Sequence, residues 1–246
     1  MSAFSLDSDG FEIFSNAIPQ PYISGIETEL LDVAAQLAGQ SFASLDAAWN
    51  HFKAHDRALG GLLYNAFKRL PSVMSLASSP ELLALARRHG NVASPAIIDI
   101  NCRIDSFGED RFLFDWHQDY WFSVCSPQSL VAWVPLTAVD QHTGGLDLIS
   151  HRHTQGRLYR TRPGDTYVTY ADSVLLDEAI PQAHAQSIEG LCCPGDVVLF
   201  KFNTLHKSRP VASAQHSRFT IQIRIADFGN AEFISHAFKP NVVSSL

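Results

Sequence analysis

The sequence predicts a mainly β protein: a sandwich or barrel of short strands over 95–228, preceded by a mostly helical stretch over 1–94. Three observations predict it. Before Pro95, apolar residues recur three and four apart, the spacing of one helix face. After Pro95, short apolar runs alternate with a period near two. Turn signals such as PG, GG and GD separate those runs, without the helix between strands that an alternating α/β fold requires.

Taken in order, Thr28 to Leu37 reads as an amphipathic helix. A second helix is expected from about Ser44 through Trp49 and Phe52, and a third from about Ala58 to Leu70, ending near Pro71. SSPELLALARRHG carries a full helix signature, with Ser79 as N-cap, Pro80 at the first position and Gly90 as the stop. Its Arg87, Arg88 and His89 lie where the helix carbonyls favour positive charge. AIIDINCRIDSF, SLVAWVPLTAV, GGLDLISH, DTYVTY, DVVLFKF and RFTIQIRIADF then read as strands. Pro163-Gly164-Asp165 and Pro194-Gly195-Asp196 each launch one. DSVLLDEAIPQAHAQSIEG, covering the 171–190 region, reads as a short helix or a lid-like insertion, and 229–246 as a C-terminal extension of a single domain spanning 1–246.

The composition narrows the function. A hydrophobic fraction of 46% and a charged fraction of 17% belong to a folded globule. The net charge of −7, with no basic stripe, argues against nucleic acid as a partner. No apolar run is long enough to cross a bilayer, and MSAFSLDSDGFEIF lacks the features of a signal peptide. Cys102, Cys125, Cys192 and Cys193 form neither a metal clamp nor a disulfide ladder and read as reduced, buried residues. The expectation is a cytoplasmic protein acting on a small molecule.

The chemistry begins at FLFDWHQDYW. If this is a strand, His117 and Asp119 share a face and Gln118 leaves it. Such a pair becomes a metal site only with a third ligand, and His206 in GDVVLFKFNTLHKSRP is a candidate. Two histidines and one carboxylate form the facial triad of non-haem iron(II), which leaves three coordination positions open. Arg218, twelve residues after His206, offers a planar fork for a carboxylate, and Ser208 a hydroxyl. Arg224 shares the strand parity of Arg218, so periodicity alone does not choose between them.

DWHQDYW, WVPLTAVDQHTGGLDLISHRHTQG, PGDVVLFKFNTLHKS and Arg218, in this order over most of 97–228, resemble the phytanoyl-CoA dioxygenase-like family of iron(II)- and 2-oxoglutarate-dependent oxygenases. The resemblance implies a double-stranded β-helix, the jelly-roll of cupin-like barrels. It implies that His117, Asp119 and His206 hold Fe(2+), and that Arg218, assisted by Ser208, binds the cosubstrate 2-oxoglutarate. One departure stands in the GGxL…SH segment. Where the family commonly has Pro-Gly before Ser150-His151, this chain has Leu148-Ile149.

The activity implied is O2-dependent decarboxylation of 2-oxoglutarate to succinate and CO2, coupled to hydroxylation of a small organic metabolite. Related halogenases usually lack the carboxylate ligand, so Asp119 favours hydroxylation. Other readings are a non-oxygenase metal enzyme on the same barrel, or a barrel that binds a metabolite without turnover. Gln118 is a candidate for supporting hydrogen bonds, Tyr120 and Trp133 for cavity walls, and His151, with His142, Arg152 and His153, for substrate contact at the cavity mouth. Arg103 and Asp105, joined by Phe107 on one strand face, are expected to line the site or to pair at the sheet surface.

Overall fold

The computed structural model describes residues 4–163 and 174–240. A short helix α1 (Leu6–Asp9) and strand β1 (Phe11–Phe14) precede five helices: α2 (Gln20–Ala38), α3 (Leu45–His55), α4 (Arg57–Phe67), α5 (Pro71–Ala77) and α6 (Pro80–His89). The β part contains β2 (Pro95–Ser106), α7 (Tyr120–Ser123), β3 (Leu130–Pro135), β4 (Leu146–Ile149) and α8 (His151–Thr154). It continues through β5 (Thr161–Pro163), β6 (Val174–Leu176), β7 (Ala185–Ser187), β8 (Val197–Lys201), β9 (Leu205–Ser208) and β10 (Ser217–Asp227) to α9 (Ala231–Ser235).

The helices start where side chains or prolines replace missing backbone partners. Ser44 accepts from the Ala47 amide, Asp56 from Ala58 and Leu59, and Ser79 from Leu82. Pro71 does lie beyond the end of α4, but it also opens α5, a helix the sequence reading did not include. A proline at the first helical position has no amide to waste, so it starts a helix as readily as it stops one. The first long helix likewise begins earlier than expected, at Gln20.

Two sheets face each other. The larger has the order β1-β8-β3-β10-β2, the smaller β7-β4-β9. A bridge between His117 and His206 extends the smaller sheet. On the large sheet, Ala132, Val134, Leu199, Ile221 and Ile223 pack with helix residues such as Ile26, Phe52 and Phe67. The alternate residues Val131, Trp133, Val198 and Phe200 pack against Leu146, Leu148 and Ile188 from the smaller-sheet side. Both faces of the large sheet are therefore buried, which is why its strands read as nearly continuous apolar runs. This is the expected double-stranded β-helix with helices laid on one face.

Several expectations change. The 172–190 region supplies β6, a 3-10 turn (Gln182–His184) and β7, which pairs with β4; its described part contains no α-helix. Short polar stretches too brief for a helix still complete a sheet when a partner strand is available. DTYVTY lies outside the described residues, as does most of the first Pro-Gly-Asp turn. Three cysteines are buried as expected, whereas Cys193 is exposed. Residues after Asp227 form α9, whose Phe233 is buried in the inter-sheet core. Among the described residues, no helix is long and apolar enough to cross a membrane.

Candidate metal centre

The HQD segment is not a continuous strand. His117 makes a single bridge with His206, their backbones exchanging two hydrogen bonds of 3.0 Å. Asp119 already has helical dihedrals, φ −62° and ψ −22°, at the entrance to α7. The two side chains therefore converge through a strand-to-helix turn, with His206 delivered opposite them by β9. One ligand atom from each of His117, Asp119 and His206 lies within 4.8 Å of the others.

The ring orientations are constrained. His117 Nδ1 lies 2.7 Å from the Asp115 carbonyl, and His206 Nδ1 lies 3.0 Å from the Thr204 carbonyl. A carbonyl only accepts, so each Nδ1 carries the proton and each Nε2 keeps its lone pair for an ion. Burial lowers the affinity of both rings for a second proton. It pushes His117 down to about 3, aided by His206, and lowers His206 as well. Asp119 is the reverse case. Burial opposes its charge, but Arg224 and then the two histidines outweigh it and hold the carboxyl down to about 2. Two neutral imidazoles and an ionised carboxylate result, a donor set that fits iron(II).

Arg224 also fixes the geometry of that carboxylate. Its Nε and Nη2 donate to Asp119 Oδ1 at 3.2 and 2.6 Å, while Oδ2 stands 3.5 Å from His206 Nε2. One oxygen is clamped and the other faces the cluster. Arg224 is itself held by Asp99, at 2.7 Å from Nη1. The cavity at the triad measures about 20 Å³, with Phe114, Trp133 and Phe200 among its walls and Ser208, Gln222 and Arg224 among its polar groups.

Arg218 lies on the same side of β10, six residues before Arg224. Phe219, Ile221, Ile223 and Ile225 face the helices, so Arg218, Thr220, Gln222 and Arg224 face the barrel interior. Arg218 Nη1 donates to the Thr143 and Arg209 carbonyls, both at 2.9 Å, and Nη2 donates to Asp105 at 2.9 Å. Two of the five N–H groups of a guanidinium, Nε–H and one on Nη2, remain for a ligand. Thr220 Oγ1 is buried without a partner among the described residues. A buried hydroxyl left alone is costly, and a carboxylate of 2-oxoglutarate would satisfy it. The residues present thus fit that cosubstrate.

The other sequence candidates separate. Trp133 does wall the cavity. Gln118 is buried and turned away. Its amide nitrogen donates to the Arg157 and Asn203 carbonyls and its oxygen accepts from the Tyr159 amide, so it ties loops together. Tyr120 does not line the cavity; its hydroxyl donates to Glu232. His151 packs under Gly10 and meets the Thr204 hydroxyl at 3.1 Å. Arg152 pairs with Asp9, His153 stacks on His184, and His142 packs near His216, so these residues form no common group. Arg103 pairs with Asp105 at 2.6 Å, not at the sheet surface but with both side chains buried. Phe107 lies beyond the strand and is exposed. Asp99, Thr220 and Gln222 were missed. The only signal for them was the every-second-residue parity of β2 and β10.

Comparison with known proteins adds the following. The family model for phytanoyl-CoA dioxygenase (PhyH) matches residues 27–220. No curated protein matches the chain. Among solved structures, the chain is similar to the non-haem α-ketoglutarate-dependent carbocyclase SnoK from nogalamycin biosynthesis. The identity is 16% with a TM-score of 0.62, covering 90% of this chain and 81% of that one. It is also similar to the epimerase SnoN of the same biosynthesis, at 15% identity and TM-score 0.56, over 90% and 79% of the two chains. A third is the non-haem monooxygenase ThoJ, at 19% identity and TM-score 0.59, over 90% and 75%. At these identities the structural likeness speaks for the fold.

Proposed function

Because the chain belongs to the phytanoyl-CoA dioxygenase family, and so to the iron(II)- and 2-oxoglutarate-dependent oxygenases, we propose that it hydroxylates a small organic metabolite. In this reading His117, Asp119 and His206 hold the iron, and Arg218, Thr220 and Ser208 receive the distal carboxylate of 2-oxoglutarate. The observation that carries it is the cluster of three ligand atoms within 4.8 Å, with both histidine Nδ1 atoms facing carbonyls. We further place the enzyme in the cytoplasm, in keeping with its four free thiols, and treat 1–246 as one oxygenase unit.

When bound, iron and 2-oxoglutarate supply the oxidation, with O2 consumed and succinate and CO2 released. The chain's own residues do the rest. The two carbonyls fix both imidazoles with Nε2 inward. Arg224 keeps Asp119 ionised and clamps one of its oxygens, so that the other would be the one available to hold the metal. Phe114, Trp133 and Phe200 keep bulk water from the cavity, which strengthens every charge interaction inside it. Hydroxylation is favoured over halogenation because the carboxylate that related halogenases usually lack is present here as Asp119.

The test is aerobic turnover under isotopically heavy O2, with iron(II), 2-oxoglutarate and a metabolite library. Hydroxylation predicts one heavy oxygen atom in the product and one in succinate, with activity lost in His206→Ala. A cyclised or epimerised product without the label would replace hydroxylation by another reaction of the same centre.

A further inference from the structure

The cavity at the triad, about 20 Å³, holds roughly one water molecule. Both 2-oxoglutarate and a carbon substrate therefore need space beyond it. A cleft of about 400 Å³ provides it, and Phe114 borders both. The cleft passes from α4 over the free edge of β2 to the segment 109–114. A groove of about 440 Å³ near Lys201 and Asp227 shares no lining residue with the triad cavity.

The charges in the cleft are already matched. Arg57 donates to Glu109 at 2.8 Å and its guanidinium sits over the Trp49 ring at 5.0 Å. Arg103 pairs with Asp105 at 2.6 Å and donates to the Phe112 carbonyl. What remains open is neutral: the Tyr64 hydroxyl and the side-chain amides of Asn65 and Asn101. None of the three has a side-chain hydrogen-bond partner among the described residues. An anion entering here would have to break an existing pair, whereas a hydroxyl or amide would replace water on these three neutral groups without disturbing any ion pair. Neutral polar groups placed along a cleft orient a neutral polar ligand without offering a charge to an anion.

We propose that this cleft is the substrate site and that its substrate is an uncharged molecule bearing hydroxyl or amide groups, presented past Phe114 to the metal centre. The proposal rests on the oxygenase reading above. It excludes an acyl-CoA thioester, whose phosphates would find no uncommitted cation in the cleft.

Gly61 gives a clean test. It lines the cleft within α4, and a Cβ there meets no atom within 4 Å. Side chains placed at this position therefore grow into the cleft without disturbing the core. The probes are three panels: neutral sugars, polyols and amides; free carboxylic acids; and acyl-CoA thioesters. Two readouts are compared across wild type, Gly61→Ala, Gly61→Leu and Gly61→Trp: substrate-stimulated succinate release, and the anaerobic visible band of iron(II) with 2-oxoglutarate. The expected result is stimulation by members of the neutral panel, a KM that climbs with side-chain size to at least about tenfold in Gly61→Trp, and an unchanged band. Stimulation confined to acids or thioesters, none from the neutral panel, or a Gly61→Trp KM equal to wild type would overturn the proposal. A folded Gly61→Trp without the band would assign the cleft to the cosubstrate and overturn it too. If wild type itself lacks the band, the oxygenase reading fails, an outcome distinct from the others.

Discussion

Two buried aspartates share the barrel interior, and arginines from β10 hold both. Asp105 has both oxygens occupied, Oδ1 by Arg103 and Oδ2 by Arg218 at 2.9 Å. Asp119 has Oδ1 clamped by Arg224, while Oδ2 points at His206. Residue type and burial are alike; the number of oxygens left over is not. A saturated carboxylate is part of the frame, whereas one with a spare oxygen beside two imidazoles is free to serve as a ligand. Pairing also keeps both charged at neutral pH, since burial alone would drive either carboxyl upward.

The contrast breaks most visibly at Asp105. Asp105→Ala strands two buried guanidiniums and is expected to remove about 3–5 kcal/mol of stability, read from the urea midpoint. Wild-type stability in that variant would mean the cluster does not hold the barrel.

Arg224→Met tests the other aspartate. Freed from its clamp, Asp119 is expected to bind Mn(II) about 10–100-fold more weakly, measured by calorimetry, and Arg224→Lys to recover part of the loss. Unchanged affinity would show that Arg224 plays no part in presenting the carboxylate.

Thr220→Val is smaller and has a telling sign. Removing an unpartnered hydroxyl should leave the ligand-free protein equal in stability or up to about 1 kcal/mol better, while 2-oxoglutarate binding weakens. Clear destabilisation would reveal a partner for Oγ1.

A further effect concerns acid. Burial pushes His151 down to about 4, so between pH 6.5 and about 4 the unfolded chain takes up a proton that the folded chain refuses. Metal-free protein should be fully stable with respect to this group above pH 6.5 and lose stability as pH falls through that window. His151→Gln should flatten that part of the profile. An identical profile in the variant would contradict it.

These contrasts also mark what could be read in advance. That His117, Asp119 and His206 come together was legible only from the ordered set of motifs, since the His-x-Asp pair alone is weak, while the alternation of β10 already placed Arg218 and Arg224 on one face. Which aspartate each arginine meets depends on register. Arg218 lies opposite Asp105 and Arg224 opposite Asp99, pairings between positions more than 110 residues apart. No local pattern encodes that. Gln118 was legible as leaving the metal face, but its three loop contacts come from residues remote in the chain. Pro71 was legible as lying at or beyond the end of α4, but the helix it opens was missed for a local reason: a proline marks a boundary without saying whether both sides are helical.

The central claim is that His117, Asp119 and His206 form an iron site that also takes 2-oxoglutarate. The direct measurement is anaerobic titration of iron(II) and then 2-oxoglutarate, following the weak visible charge-transfer band. Wild type is predicted to develop the band at one iron per chain, and His206→Ala and Asp119→Ala to lack it. A folded, iron-loaded wild type that shows no band on saturation with 2-oxoglutarate would contradict the account.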